Sequence, residues 1–370
     1  MATGANRGTP GAQPLADTDA VVLVGGQGTR LRPLTLSTAK PMLPTAGVPF
    51  LAHLLSRIRA AGLNHVVLGT SYRAETFQEY FGDGSRFGIE IDYVVEETPL
   101  GTGGAIRNVA DRLRGSTAMI FNGDILSGVD LGALWRTHRE AAADVTLHLV
   151  RVPDPRRFGS VPTDLFGRVT AFVEKSDDPP TDQINAGCYV FERSVLEAIP
   201  AGRVVSVERE TFPGLLAAGA HLHGYVDASY WLDLGTPAAF VRGSADLVQG
   251  LAPTAALPGA VGVALTLPGA VVHPESVVEG GSTIGPGAVV GEGARVDGSV
   301  LLDGAEIAPG AQVVRSVVGR EAVIGAGAVV TDAVIGDGVR VGARCELIGG
   351  IRVWPQVRIP DGSVRFSADV

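Results

Sequence analysis

From Ala20 to about Leu234, short apolar runs alternate with segments whose apolar residues recur at helical spacing. The runs Ala20–Val24, Val66–Thr70, Ile91–Glu96, Ala118–Gly123 and Val145–Val150 are short and β-branched, and predict buried strands. Pro49–Ala61 (stopped by Gly62), Ala74–Phe81, Ala105–Leu113 and Leu131–Ala141 predict amphipathic helices. Strands alternating with helices build βαβ units, so a Rossmann-like, three-layer α/β domain with a mostly parallel sheet is expected over residues 20–236. Val169–Glu174 and Ala186–Phe191 predict further strands with fewer helices between them, hence an added, partly antiparallel lobe. Residues 237–258 predict a linker: a helix over Pro237–Val248, then the soft stretch that begins at Gly250.

Beyond the linker the period changes. Aliphatic residues recur every six positions at Val272, Val278, Ile284, Val290, Val296 and Leu302. They continue through Ile307, Val313, Val318, Ile324, Val330, Ile335, Val341, Leu347, Val353 and Ile359, with three steps of five. Glycine follows the aliphatic residue at 285, 291, 319, 325, 336 and 342, where it is expected to let the chain turn between faces. Neither a helix nor a simple strand has this period; a parallel β-helix of hexapeptide repeats does, and residues 259–370 are assigned to one. Resemblance to hexapeptide-repeat proteins implies a left-handed coil.

Composition narrows the class. With 45% hydrophobic and 19% charged residues in 370, the chain can build sizeable cores. Residues 1–19 are rich in Gly, Pro and Ala and lack an apolar stretch, so they predict a disordered extension and not a signal peptide. No later apolar run is long enough to span a bilayer. The two cysteines, Cys188 and Cys345, have no metal-binding spacing, which fits a reducing cytoplasm. A net charge of −9 argues against nucleic-acid binding and requires any anion site to concentrate its positive charge locally.

Such a concentration exists. The first strand runs into Gly25-Gly26-Gln27-Gly28-Thr29-Arg30-Leu31-Arg32, a glycine-rich loop that brings backbone N–H groups close to phosphate oxygens. It is neither a dinucleotide fingerprint nor a Walker A loop. Alone it would be an ordinary chain reversal; two arginines, with Lys40 ten residues on, tilt it towards anion binding. Of 30 basic residues only Lys40 and Lys175 are lysine, so these positions are expected to need a compact ammonium. Asp124 and Asp233 end apolar strands, where open α/β sheets bind ligands. Each alone is commonly a turn residue; together they suit Mg²⁺ with phosphate oxygens completing its shell. Glu96 opens a second glycine-rich stretch, Gly101-Thr102-Gly103-Gly104, and is either a base-reading carboxylate or a solvated strand end.

In order along the chain stand Gly-Gly-Gln-Gly-Thr-Arg-Leu-Arg-Pro-Leu-Thr, Lys40-Pro41-Met42, Leu100-Gly101-Thr102-Gly103-Gly104, Asn122-Gly123-Asp124, Val173-Glu174-Lys175, Ile184-Asn185-Ala186-Gly187 and Trp231-Leu232-Asp233. With these motifs the chain resembles the sugar-1-phosphate nucleotidyltransferases, and among them the mannose-1-phosphate guanylyltransferases of actinobacterial type. One departure is Ala39, where the family usually has proline. The resemblance implies that Val24, Gly25, Gly26, Gly28, Thr29, Glu96, Gly101 and Thr102 bind the nucleotide, with Glu96 and Gly101 on the base. Arg30, Lys40 and Lys175 would be catalytic. Asp124, Gly159, Glu174, Lys175, Asn185 and Gly187 would line the sugar-phosphate pocket, and Asp124 and Asp233 would hold Mg²⁺.

The implied substrates are GTP and mannose 1-phosphate, with a homo-oligomer assembled through the β-helix. The absence of a Ser/His or Cys/His pair suits a reaction whose phosphate nucleophile is already ionised. Other readings are a related enzyme for heptose or glucose 1-phosphate and a non-catalytic regulatory subunit. A third is added acyl transfer at the β-helix, against which His273 is the sole histidine after His223.

Overall fold

The computed structural model describes residues 15 and 17–364; most of the expected N-terminal extension lies outside the described residues. Its last residues do not. The first strand is Thr18–Leu23, starting before the expected Ala20. Thr18 Oγ1 meets Thr117 Oγ1 at 2.6 Å, and Asp19 accepts the N–H groups of Arg114 and Gly115 at 2.6 and 2.8 Å. These polar side chains are buried because each has partners, which no apolar pattern reveals.

Thr18–Leu23 lies between the parallel strands His65–Thr70 and Thr117–Asn122, with Glu90–Val95 outside the former. The long strand Gln183–Glu192 then runs antiparallel to Thr117–Asn122. It also pairs antiparallel with Val145–Arg151, beside which Leu222–Asp227 lies parallel. Hydrophobic clusters cover both sheet faces, which is why the central strands are continuously apolar. The chain moves outward from the first strand to residues 65–95, then returns to its other side at Thr117. The crevice between the carboxyl ends of Thr18–Leu23 and Thr117–Asn122 is therefore a topological switch point.

Two expected elements differ. The helix predicted over Ala105–Leu113 spans Gly101–Asn108, followed by a 3₁₀ turn at Ala110–Arg112. The Val205 carbonyl accepts the N–H groups of Gly103 and Gly104 at 2.8 and 3.2 Å, so the glycines form the first turn. A Cβ on Gly104 would lie 2.8 Å from the Arg203 carbonyl oxygen, so these glycines admit a neighbouring segment. Of the predicted strand Val169–Glu174 only Val173–Glu174 is regular, paired with Gly159–Ser160; Val169 makes an isolated bridge to Thr163.

Residues from Ala264 onward form three stacked parallel sheets of six, six and five strands, consistent with a left-handed parallel β-helix. Val290, Ile307, Ile324, Val341 and Ile359 align in register from coil to coil and point inward. One inward assignment is corrected: Leu301, not Leu302, pairs with Ile284 and Val318 in the interior. The five-residue steps thus fall at 296–301, 313–318 and 330–335, on one recurring corner. Each contains a single left-handed residue, Gly298, Arg315 or Asp332. Leu302 points outward into a different cluster.

The glycines after the aliphatic positions also act differently from expectation. They lie outside the left-handed region, which falls two residues on, at Gly287, Gly293 and Gly327 among others. A Cβ on Gly325 would lie 2.6 Å from backbone atoms of the next coil, so glycine is required there by coil-to-coil approach.

The β-helix packs against the α/β domain. Leu31, Leu34 and Leu43 join Phe240, Val241, Val300, Leu302, Val317 and Val334 in one buried cluster. The helix Pro237–Val248 has the expected bounds and contributes Phe240 and Val241 to this seam; it is capped by the Thr236 hydroxyl accepting the Ala239 N–H.

Candidate active site

The glycine loop leaves the central strand at the switch point. Val24 is buried and donates its N–H to Gly69 O at 2.9 Å, which holds the start of the loop to the sheet. Among the described residues, no hydrogen bond uses the N–H groups of Gly25, Gly26, Gln27 or Gly28, so these donors are available to an anion. Gly28 has φ +61°, and a Cβ there would meet Lys40 Cβ at 2.9 Å. Only glycine permits this turn, which presses the loop against the Lys40 segment. Thr29 and Arg30 follow in an exposed 3₁₀ turn, Thr29–Leu31.

Beside the loop lies a cavity of about 350 Å³. It is lined by Val24, Gly25, Gly26 and Lys40, by Glu96, Gly101 and Thr102, and by Gly123 and Asp124 among others. At its edge Lys40 Nζ stands 2.7 Å from Asp124 Oδ2 and 3.9 Å from Asp233 Oδ1, with the Lys40 side chain only 11% exposed. The two aspartates are distant in sequence but adjacent in space. Trp231–Asp233 pairs antiparallel with Ile125–Ser127, and Leu234 donates its N–H to Asp124 O at 3.0 Å. Arg30 belongs to the same group: a Cβ on Gly235 would meet Arg30 Nη2 at 2.6 Å and Asp233 Oδ1 at 3.0 Å.

Burial and then the Asp124 carboxylate push the Asp233 carboxyl above its ordinary value, against Lys40, Arg30 and the Gly235 N–H. Its Oδ1 is buried without a hydrogen-bond partner. An orphaned carboxylate oxygen facing a second carboxylate is a fitting donor set for a hard divalent cation. Among the described residues no group of three His, Cys, Asp or Glu side chains is arranged to hold a metal ion by itself, so phosphate oxygens or water would supply the remaining ligands.

Glu96 is half-buried at the opposite wall, accepting the Leu100 N–H at 3.3 Å; burial raises its carboxyl above the usual range. The Thr102 hydroxyl donates to Glu208 at 2.7 Å and accepts the Val207 N–H at 2.9 Å. Its side chain is thereby engaged within the protein, leaving its cavity-facing surface for contact. Sequence reasoning missed Ser71, whose Oγ donates to Gly25 O at 2.6 Å and ties the loop to the next strand. Its one signal is a hydroxyl directly after the strand His65–Thr70.

The remaining residues form a neighbouring group. Gly159 pairs with Glu174, where a Cβ would lie 3.0 Å from Glu174 Oε2. Lys175 is 62% exposed and 3.5 Å from Glu174 Oε1, and is not in contact with Lys40 or the aspartates. Asn185 Nδ2 donates to Tyr189 Oη at 2.7 Å, and its Oδ1 accepts the Gly187 N–H at 3.0 Å. This closes a bulge between Asn185 and Tyr189, with Gly187 at φ +76° against Asn122. Asn122 also lines the cavity, which links the two groups.

Comparisons with known proteins find similarity along nearly the whole chain. The nucleotidyl transferase family model matches residues 19–250, and the model of the GMPPB C-terminal domain matches 260–364. The chain is 62% identical to the mannose-1-phosphate guanylyltransferase of Mycobacterium tuberculosis, over 95% of this chain and 98% of that one. It is 35% identical to the catalytic subunit beta of the Drosophila pseudoobscura mannose-1-phosphate guanylyltransferase, over 72% and 73% of the two chains. Among solved structures, HddC from Yersinia pseudotuberculosis complexed with GMP-PN is similar. Its TM-score is 0.55 at 28% identity, and the match covers 62% of this chain and 99% of that one.

Proposed function

The chain belongs to the nucleotidyl transferase family, and we propose that it transfers GMP from GTP to mannose 1-phosphate, giving GDP-mannose and pyrophosphate. The observation that carries this choice of substrates is the 62% identity, over 95% of the chain, to a mannose-1-phosphate guanylyltransferase. The GMP-PN complex of HddC supports a guanine nucleotide. In the site, Lys40 between Asp124 and Asp233, beside a loop of unpaired N–H groups, supports phosphate chemistry.

In the proposed reaction an oxygen of mannose 1-phosphate attacks the α-phosphorus of GTP in line, and pyrophosphate leaves. The second pKa of a phosphate monoester is about 6, so the nucleophile is ionised at pH 7 and no general base is needed. The chain's task is positioning and charge neutralisation. The N–H groups of Gly25, Gly26, Gly28 and Thr29 hold the triphosphate, with Arg30 and Lys40 balancing its charge, and Val24 lies beside the nucleotide as part of the cavity wall. Glu96 Oε1, left free by the Leu100 contact, accepts from the guanine ring N–H and amine, beside Gly101 and Thr102. Gly159, Glu174, Lys175, Asn185 and Gly187 hold the sugar phosphate. Asp124 and Asp233 would hold Mg²⁺, which supplies neutralisation of phosphate charge when bound.

Exposed Val271, Val277 and Val289 support a homo-oligomer through the β-helix, testable by sedimentation equilibrium. Both cysteines are buried free thiols, in keeping with a reducing compartment such as the cytoplasm. Among the described residues, no helix is long and apolar enough to cross a membrane.

The test is pyrophosphate release across a matrix of nucleotides and sugar phosphates. GTP with mannose 1-phosphate is expected to dominate; no release with any pair would leave a regulatory subunit. Asp124→Asn and Asp233→Asn should each abolish most turnover, and the double variant should be little worse than either, because the two act as one unit.

A further inference from the structure

On one face of the β-helix the outward positions Thr283, Val300, Val317, Val334 and Arg352 stand in register, coil on coil. The first four are buried, and the three valines pack with Leu31, Leu34 and Phe240. This face is therefore the floor beneath the segment that follows the glycine loop. Arg352, the last of the row, remains exposed and reaches sideways. Its Nη1 donates to the Arg30 carbonyl at 2.7 Å and to the Arg32 carbonyl at 3.1 Å.

Those carbonyls lie at the end of the 3₁₀ turn Thr29–Leu31, whose own bonds run from Leu31 N to Gly28 O and from Arg32 N to Thr29 O. Partial negative charge gathers at the carbonyl end of such a turn, where a guanidinium is favourable. The opposite end of the turn continues directly into the glycine loop, whose Gly25 and Gly26 line the cavity. Holding the carbonyl end fixes the direction of both.

We propose that Arg352 is a positioning residue for nucleotidyl transfer: from the β-helix it locks the peptide planes of Arg30 and Arg32, and so aims the Arg30 side chain and the loop N–H groups at the triphosphate. This rests on the reading of residues 24–32 as the triphosphate loop. It makes the C-terminal domain part of the construction of the active site. Arg352 itself touches no substrate.

The test compares Arg352→Ala and Arg352→Lys with Arg358→Ala, which lies on another face of the coil. Two readouts are taken: amide hydrogen exchange at Leu31 and Arg32 without any nucleotide, and kcat/KM for each substrate. In Arg352→Ala both amides should exchange about tenfold faster, and kcat/KM for GTP should fall about tenfold, the worth of a charge-assisted hydrogen bond. KM for mannose 1-phosphate and the melting temperature should stay unchanged. Arg352→Lys should recover most of the loss, since an ammonium can serve two carbonyls, and Arg358→Ala should match the wild type. Wild-type exchange and GTP kinetics in Arg352→Ala would overturn the proposal. So would a loss shared equally by both substrates together with a fall in melting temperature. If the wild type itself turns over no nucleotide, the proposed function fails instead, and the exchange readout still decides whether Arg352 holds the loop.

Discussion

Lys40→Met removes one charge and keeps an apolar stem of similar length. In the folded protein it leaves Asp124 and Asp233 facing each other without the ammonium that lies 2.7 Å from one and 3.9 Å from the other. Breaking a fully buried ion pair costs about 3–5 kcal/mol. Here Asp124 is 37% and Asp233 26% exposed, so water screens part of the repulsion and about 1–3 kcal/mol of stability should be lost at pH 7.

The deficit should depend on pH with a definite sign. Burial and Asp124 already raise Asp233, and Lys40 is the first group opposing them, so its removal raises Asp233 further. A carboxyl raised in the folded state binds protons more readily there than in the unfolded chain. Stability is therefore regained as pH falls through the raised value. A divalent cation can take the place of the ammonium, so Mg²⁺ should raise the melting temperature of the variant more than that of the wild type. Turnover should nevertheless fall by about 10²-fold or more, because Mg²⁺ between the carboxylates does not replace a positioned donor on the phosphates. Thermal melts at pH 5.5 and 7 with and without Mg²⁺, alongside pyrophosphate release, give all four numbers. A deficit that is the same at both pH values and both Mg²⁺ levels would refute the reasoning, as would wild-type turnover.

Glu96→Gln keeps an acceptor for the Leu100 N–H, so the fold should hold while kcat/KM for GTP drops about 10–100-fold; unchanged GTP kinetics would remove Glu96 from the base site. His65 bridges Asp19 at 2.7 Å and Asp92 at 3.1 Å, and the Asp19 hydrogen bond raises it above the ordinary 6.5. Its contribution is complete below 6.5 and fades as pH rises through the elevated folded value. The stability advantage of wild type over His65→Gln, about 1–2 kcal/mol at pH 6, should therefore shrink towards pH 9 in denaturant titrations, and a flat difference would contradict it. Leu301→Ala should cost about 2–5 kcal/mol and speed amide exchange inside the β-helix. Leu302→Ala should instead speed exchange in Pro237–Val248 and Leu34–Leu36; the reverse pattern would put Leu302 inside.

The sequence by itself determined the two architectures, because each rests on a short-range period. Alternating runs specify the α/β layers, and the inward aliphatics, each five or six residues from the next, specify the coil. The glycine loop, Lys40, Asp124 and Asp233 were equally legible, since each ends a strand or interrupts a composition otherwise short of lysine. Where two adjacent residues are both aliphatic, as at Leu301 and Leu302, the period could not choose between them. The left-handed corner at Gly298 chose, and sent Leu302 to the domain seam. Tertiary structure likewise decided that Lys40 sits between carboxylates 84 and 193 residues away, that Val205 shapes the first turn at Gly101, and that Arg352 reaches the loop at Arg30. The physical reason is common to all of these. A hydrogen bond or ion pair acts over about 3–4 Å in space with no regard to separation along the chain, so its partner leaves no periodic trace beside it.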